Sequence, residues 1–95
     1  MITAQEAREL SGPSAQEYLE FIEQQIRKAA ENKALETVIR ERPYCYWLYS
    51  EKDLTSEPRK ALEALRENGF SVSLHYYEEG QLVDIGLRIS WEEAQ

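Results

Sequence analysis

Residues 70–91 read FSVSLHYYEEGQLVDIGLRISW, and their alternation decides the architecture. Phe70, Val72, Leu74 and Tyr76 alternate with Ser71, Ser73, His75 and Tyr77. Val83, Ile85, Leu87, Ile89 and Trp91 alternate with Asp84, Gly86, Arg88 and Ser90. A period of two sends successive side chains to opposite faces of a pleated strand, so both runs predict strands with one buried and one wet face. Glu78-Glu79-Gly80-Gln81 between them predicts a turn, making the pair an antiparallel hairpin.

The two apolar rows must share a side, which constrains the register. Closing the turn around Glu79-Gly80 puts Tyr76 opposite Val83 inside, with His75 opposite Asp84, Ser73 opposite Gly86 and Ser71 opposite Arg88 outside. His75 and Asp84 then touch, and the carboxylate favours the imidazolium form. Ser71, Ser73 and Ser90 nearby suggest a Ser-His-Asp device. Side chains on an open sheet lack an oxyanion hole and a dry pocket, so a polar face with one cross-strand ion pair is the plainer reading.

Upstream, Thr3 with Glu6 has capping-box spacing before a short helix over 4–10, stopped by Gly12-Pro13. Ser14 with Glu17 repeats the signal before a helix to about Asn32, whose Tyr18, Leu19, Ile22 and Ile26 recur at steps of three or four. Leu35–Glu41 is β-branched and short, and predicts a strand ended by Pro43. A third helix over 56–68 carries Pro58 in its first turn and closes at Asn68-Gly69.

Strand, helix, strand with a right-handed crossover predicts a first strand parallel to the second, hence a three-stranded mixed sheet in the order 1-2-3. Both amphipathic helices then cover one face, giving a two-layer α/β sandwich. The 95 residues fit one domain: a short first helix and turn (1–13), an α-β-α-β-β core (14–91) and an acidic tail (92–95).

Tyr44-Cys45-Tyr46-Trp47-Leu48-Tyr49 holds four of the ten aromatic residues and follows neither a strand nor an α-helical period. Trp47 and Leu48 suit the core, but so many aromatic side chains cannot all point inward. Tyr44, Tyr46, Trp47 and Tyr49 are therefore one set of candidate binding residues, with Arg40, Arg42 and Trp91 near by. His75, Tyr77, Asp84 and Arg88 on the wet side of the hairpin are the other.

The 18 Asp and Glu against 11 Lys and Arg give a net charge of −7, which opposes binding to duplex nucleic acid. Cys45 is the only cysteine and His75 the only histidine, so no disulfide framework, zinc cluster or iron–sulfur site is expected, and no calcium-loop spacing occurs. No glycine-rich phosphate loop appears, and no cofactor is expected. No window is apolar enough for a membrane span and no leader pattern opens the chain, so the expected setting is the cytoplasm, without membrane attachment.

Ile2–Gly12, the helix entered at Ser14 with Tyr18 and Ile22, Leu65–Val72 and Gln81–Trp91 together resemble small accessory proteins of tailed bacteriophages, a group without an established activity. The segment between Glu41 and Leu54 departs from that pattern. The resemblance implies a product acting inside an infected bacterium, where small acidic proteins inhibit or redirect host factors. The leading expectation is thus a non-enzymatic protein that binds a bacterial host protein, a defence component among the candidates. A protein that sequesters a nucleotide or other small ligand is the alternative, with Trp47, Tyr44 or Tyr46 stacking the base and Arg40 or Arg88 holding phosphate; a minor virion or assembly component is another. A homodimer is the default assembly, because a three-stranded sheet leaves two open edges.

Overall fold

The computed structural model describes residues 1–93. Its elements are α1 (Ala4–Ser11), α2 (Ala15–Glu31), β1 (Glu36–Ile39), α3 (Ser56–Glu67), β2 (Ser71–Glu79) and β3 (Leu82–Ser90). Two short 3₁₀ turns, Tyr44–Tyr46 and Glu51–Asp53, lie between β1 and α3. Of the expected acidic tail, Ala94 and Gln95 lie outside the described residues.

The caps read from the sequence form. Thr3 Oγ1 accepts the Glu6 N–H at 3.1 Å, and Ser14 Oγ accepts that of Glu17 at 3.2 Å. A further cap comes from elsewhere: the Glu57 carboxylate, in the first turn of α3, accepts the Ala15 N–H of α2 at 3.1 Å. One carboxylate thus serves two helix N-termini, where negative charge is favourable. α3 ends in a Schellman motif, with Gly69 N–H on Arg66 C=O and Phe70 N–H on Leu65 C=O, which turns the chain directly into β2.

The sheet corrects the expected topology. Its order is β1-β3-β2, and both pairings are antiparallel, so the sheet is neither mixed nor ordered 1-2-3. β1 and β2 do run in the same direction, as the crossover rule requires, but β3 is inserted between them. That placement gives the most apolar strand, with Val83, Ile85, Leu87 and Ile89, two neighbours, and leaves the four-residue β1 at an edge. The chain is a small α+β fold with α2 and α3 packed on one side of the sheet.

The core lies between the sheet and α2 and α3. Ile22, Ile39, Leu62, Leu87 and Ile89 are fully buried, with Tyr18, Ala61 and Leu65 around them. Each large aliphatic side chain removed from water there contributes about 1.5–3 kcal/mol before ordering costs. Tyr44 and Trp47 complete this core: Tyr18 meets both edge-on, at centroid distances of 5.7 and 5.0 Å, and Phe21 stacks on Tyr44 at 4.7 Å.

Candidate functional site

The hairpin turn sets the geometry of the wet face. Its two-residue loop is Gly80-Gln81, closed by Glu79 opposite Leu82, not the Glu79-Gly80 loop expected from the sequence. Gly80 has φ +60 and is the only residue of the turn with positive φ, the signature of a type II′ turn with glycine in its first central position. The expected loop would have placed Glu79 there, where a Cβ is strained.

The register therefore slips by two residues from the expected one. His75 lies opposite Gly86, Ser73 opposite Arg88, Tyr77 opposite Asp84 and Tyr76 opposite Ile85. His75 now stands between Asp84 and Arg88, its diagonal neighbours on the same face, and contacts both. Nε2 lies 3.0 Å from Asp84 Oδ2, and Nδ1 lies 3.1 Å from Arg88 Nη2. An arginine has no acceptor, so Nδ1 must accept from it, and the proton belongs on Nε2, which donates to the carboxylate. Both ring nitrogens are thus engaged, Nε2 by the Asp84 carboxylate and Nδ1 by the Arg88 guanidinium.

Two residues outside the expected pair extend the chain of contacts across all three strands. Arg40, just past β1, grips Asp84 with two bonds, Nε to Oδ1 at 2.8 Å and Nη2 to Oδ2 at 3.2 Å. Glu36 in β1 lies 3.6 Å from Arg88 Nε, an ion-pair contact too long for a hydrogen bond. Hydrogen bonds from Arg40 and His75 hold the Asp84 carboxyl at about 2, below its ordinary 3.8. The row Glu36–Arg88–His75–Asp84–Arg40 crosses the sheet with alternating roles. Gly86 makes it possible: a Cβ there would come within 2.6 Å of Val38 Cγ1 and 3.1 Å of the Ile39 carbonyl oxygen.

This constellation leaves His75 without a free nitrogen, and no serine hydroxyl bonds to it among the described residues. The two arginines named as phosphate holders both face carboxylates, Arg40 on Asp84 and Arg88 beside Glu36.

The aromatic segment divides cleanly. Tyr44 and Trp47 are buried, so neither is available as a binding residue, and burial pushes the Tyr44 phenol above its ordinary range. Tyr46 and Tyr49 are exposed, Tyr46 beneath the Arg42 guanidinium at 5.5 Å. Trp91 meets Phe70 edge-on and is half-buried.

A second surface went unread in the sequence. The far half of the hairpin outruns the helices, and its apolar side is uncovered there: Leu74 is 37% exposed, Tyr76 46%, Val83 55% and Tyr49 59%. Tyr49 stacks on Tyr76 at 6.1 Å and joins the patch to the aromatic segment. Leu74, Tyr76 and Val83 belong to the expected inner rows; they keep that side but not the expected burial. On the opposite side of the arm, Tyr77 donates to Glu79 at 2.6 Å.

No family model matches the chain, and no curated protein or solved structure matches it either. Among the described residues no group of His, Cys, Asp and Glu is arranged to hold a metal, and no helix is long and apolar enough to cross a membrane.

Proposed function

We propose that this chain is a non-enzymatic protein-binding module, of the accessory class it resembles in tailed phages, which docks on a bacterial host protein and inhibits or redirects it. The observation that carries this reading is the uncovered apolar side of the hairpin arm. Leu74, Tyr76 and Val83 stand on one side of the arm, Tyr49 stacks on Tyr76, and Glu78 stands on the same side, an apolar surface with a charge at its edge of the kind found at recognition surfaces. Tyrosines supply much of its area at little entropic cost. The net charge of −7 favours a basic protein surface over nucleic acid as the object of binding.

The test is affinity capture from bacterial lysate, quantified by mass spectrometry, with the wild-type chain beside a Tyr49→Glu/Val83→Glu variant. Both positions are more than half exposed, so the fold tolerates the change. A host protein recovered by the wild type and lost with the variant is the expected result. Equal recovery by both chains, or none by either, would overturn the assignment of this patch.

A further inference from the structure

We propose that the outer edge of β2 pairs with β2 of a second copy, antiparallel and centred on His75, to make a continuous six-stranded sheet. This goes beyond the host-binding reading and does not depend on it.

The backbone fixes which groups are free. Trp91 N–H donates to Leu35 C=O at 3.0 Å, in step with the pairings of Thr37 with Ile89 and Ile39 with Leu87. Odd-numbered residues of β3 thus hydrogen-bond towards β1, and its even-numbered residues towards β2. Their partners in β2 are the odd-numbered residues, a parity that Glu79 opposite Leu82 shares as the closing pair of a two-residue turn. The N–H and C=O groups of Val72, Leu74, Tyr76 and Glu78 therefore point away from the sheet. Among the described residues none of these four makes a backbone hydrogen bond outside the strand ladder, and no side chain caps them.

Along most of its length this edge lacks the usual guards; its charged residues, Glu78 and Glu79, stand together at the turn end. β2 is nine residues long, pairs one-for-one with β3 without a bulge, and has no Pro, Lys or Arg. The other edge differs: β1 is only four residues long, and beyond Ile39 the same side of β3 adds only Val83 and Ile85, beside the Arg40 side chain that reaches across to Asp84.

Self-complementarity selects the occupant. In a two-fold antiparallel pairing, opposed residues share both a face and a hydrogen-bonding parity, so only even–even pairs can exchange backbone bonds. Centring on His75 overlaps all nine residues, whereas any other allowed centre leaves strand ends unpaired. It sets Tyr76 against the second copy's Leu74, and Leu74 against its Tyr76, so these apolar side chains meet side by side across the seam and the apolar face of the arm continues from one copy to the other. Glu78 faces Val72 and Glu79 faces Ser71, so no carboxylate opposes another. The two imidazoles meet at the axis, each held by Arg88 and Asp84 of its own chain.

The test is sedimentation of the full chain over a broad concentration range, with amide hydrogen exchange on the same samples. The expected species has twice the 11.1 kDa chain mass. On dimerisation, the amides of Val72, Leu74, Tyr76 and Glu78 gain protection, while those of Ser73, His75 and Tyr77 are protected in both states. Tyr76→Pro removes an outward donor without touching the β2–β3 ladder, and symmetry removes it twice, so the dimer weakens about 30-fold. Tyr76→Lys, which turns a charge into the seam, is the second variant and should also give monomer. A chain that stays monomeric at millimolar concentration would overturn the proposal. So would a dimer in which the even-numbered amides exchange as fast as in the monomer, or a folded Tyr76→Pro chain that dimerises as tightly as wild type.

Discussion

Gly86→Ala isolates the contact that lets the polar row form. The new Cβ would stand 2.6 Å from Val38 Cγ1, about 1 Å short of the ~3.5–4.0 Å carbon–carbon optimum. Val38 is β-branched and stiff at χ1, so it cannot simply swing aside. The next neighbour is the Ile39 carbonyl oxygen at 3.1 Å, which belongs to the β1 backbone and moves only with the strand. Such overpacking costs about 1–3 kcal/mol. Loss of glycine freedom in the unfolded chain offsets about 0.4–1 kcal/mol of it. At 2.6 Å the contact belongs to the upper part of that range, about 2–3 kcal/mol, so the net destabilisation is about 1–2.5 kcal/mol, or a fall in Tm of about 5–20 °C for a domain this small. Urea unfolding at a fixed protein concentration measures it, together with the Val38→Ala single and the Val38→Ala/Gly86→Ala double variant. Removing Cγ1 makes room for the new methyl, so the double variant should be about 1 kcal/mol more stable than additivity requires. A Gly86→Ala chain as stable as wild type, or strictly additive behaviour in the cycle, would refute the steric account.

Asp84 gives an acid-side prediction. Its folded carboxyl titrates at about 2 against an ordinary 3.8, so its ion pairs stabilise the fold above pH 3.8 and are lost as pH falls towards 2. Asp84→Asn should flatten that part of the urea-midpoint profile and leave the neutral end less dependent on salt; an unchanged acid slope would show that Asp84 is not responsible. In the aromatic segment, Trp47→Ala should cost about 3–5 kcal/mol, whereas Tyr46→Ala should change stability by no more than about 0.5 kcal/mol, both read from denaturant midpoints. Similar losses at the two positions would contradict the division into buried and exposed aromatic residues.

Most of the fold could be read from patterns that act locally. Alternation located β2 and β3, two side-chain caps located the helix starts, and Asn68-Gly69 located the end of α3. The strand order could not be read that way. The crossover rule sets the direction of β2 relative to β1, and both topologies satisfy it; adjacency depends on which strand most needs two neighbours. The aromatic segment illustrates a missed period. The chain coils through a 3₁₀ turn, in which Trp47 N–H bonds back to Tyr44 C=O and side chains three apart eclipse, so Tyr44 and Trp47 point inward together; Tyr46 and Tyr49, the latter in the turn that follows, are left outside. Neither a two-fold nor a 3.6-fold template could sort them.

The candidate site was legible in composition but not in connection, and the reason is geometric. Alternation assigns His75, Asp84 and Arg88 to one face under either register, because a slip by two residues preserves faces. Which residues touch depends on where the turn closes, and only the preference of the first type II′ position for glycine decides that. Arg40 and Glu36 enter the row because β1 lies against β3, so their role could not be seen while β1 was placed beside β2. The exposed arm follows from lengths. Nine strand residues at about 3.3 Å each span about 30 Å, while the twelve residues of α3 at 1.5 Å each span about 18 Å, so this helix cannot shield the whole hairpin. A period-two pattern reports the side on which an apolar residue stands; whether anything lies over it is set by the reach of the opposing layer. Leu74, Tyr76 and Val83 satisfy the pattern of buried residues at the very positions where that layer has ended, which is why sequence periodicity and solvent exposure part company there.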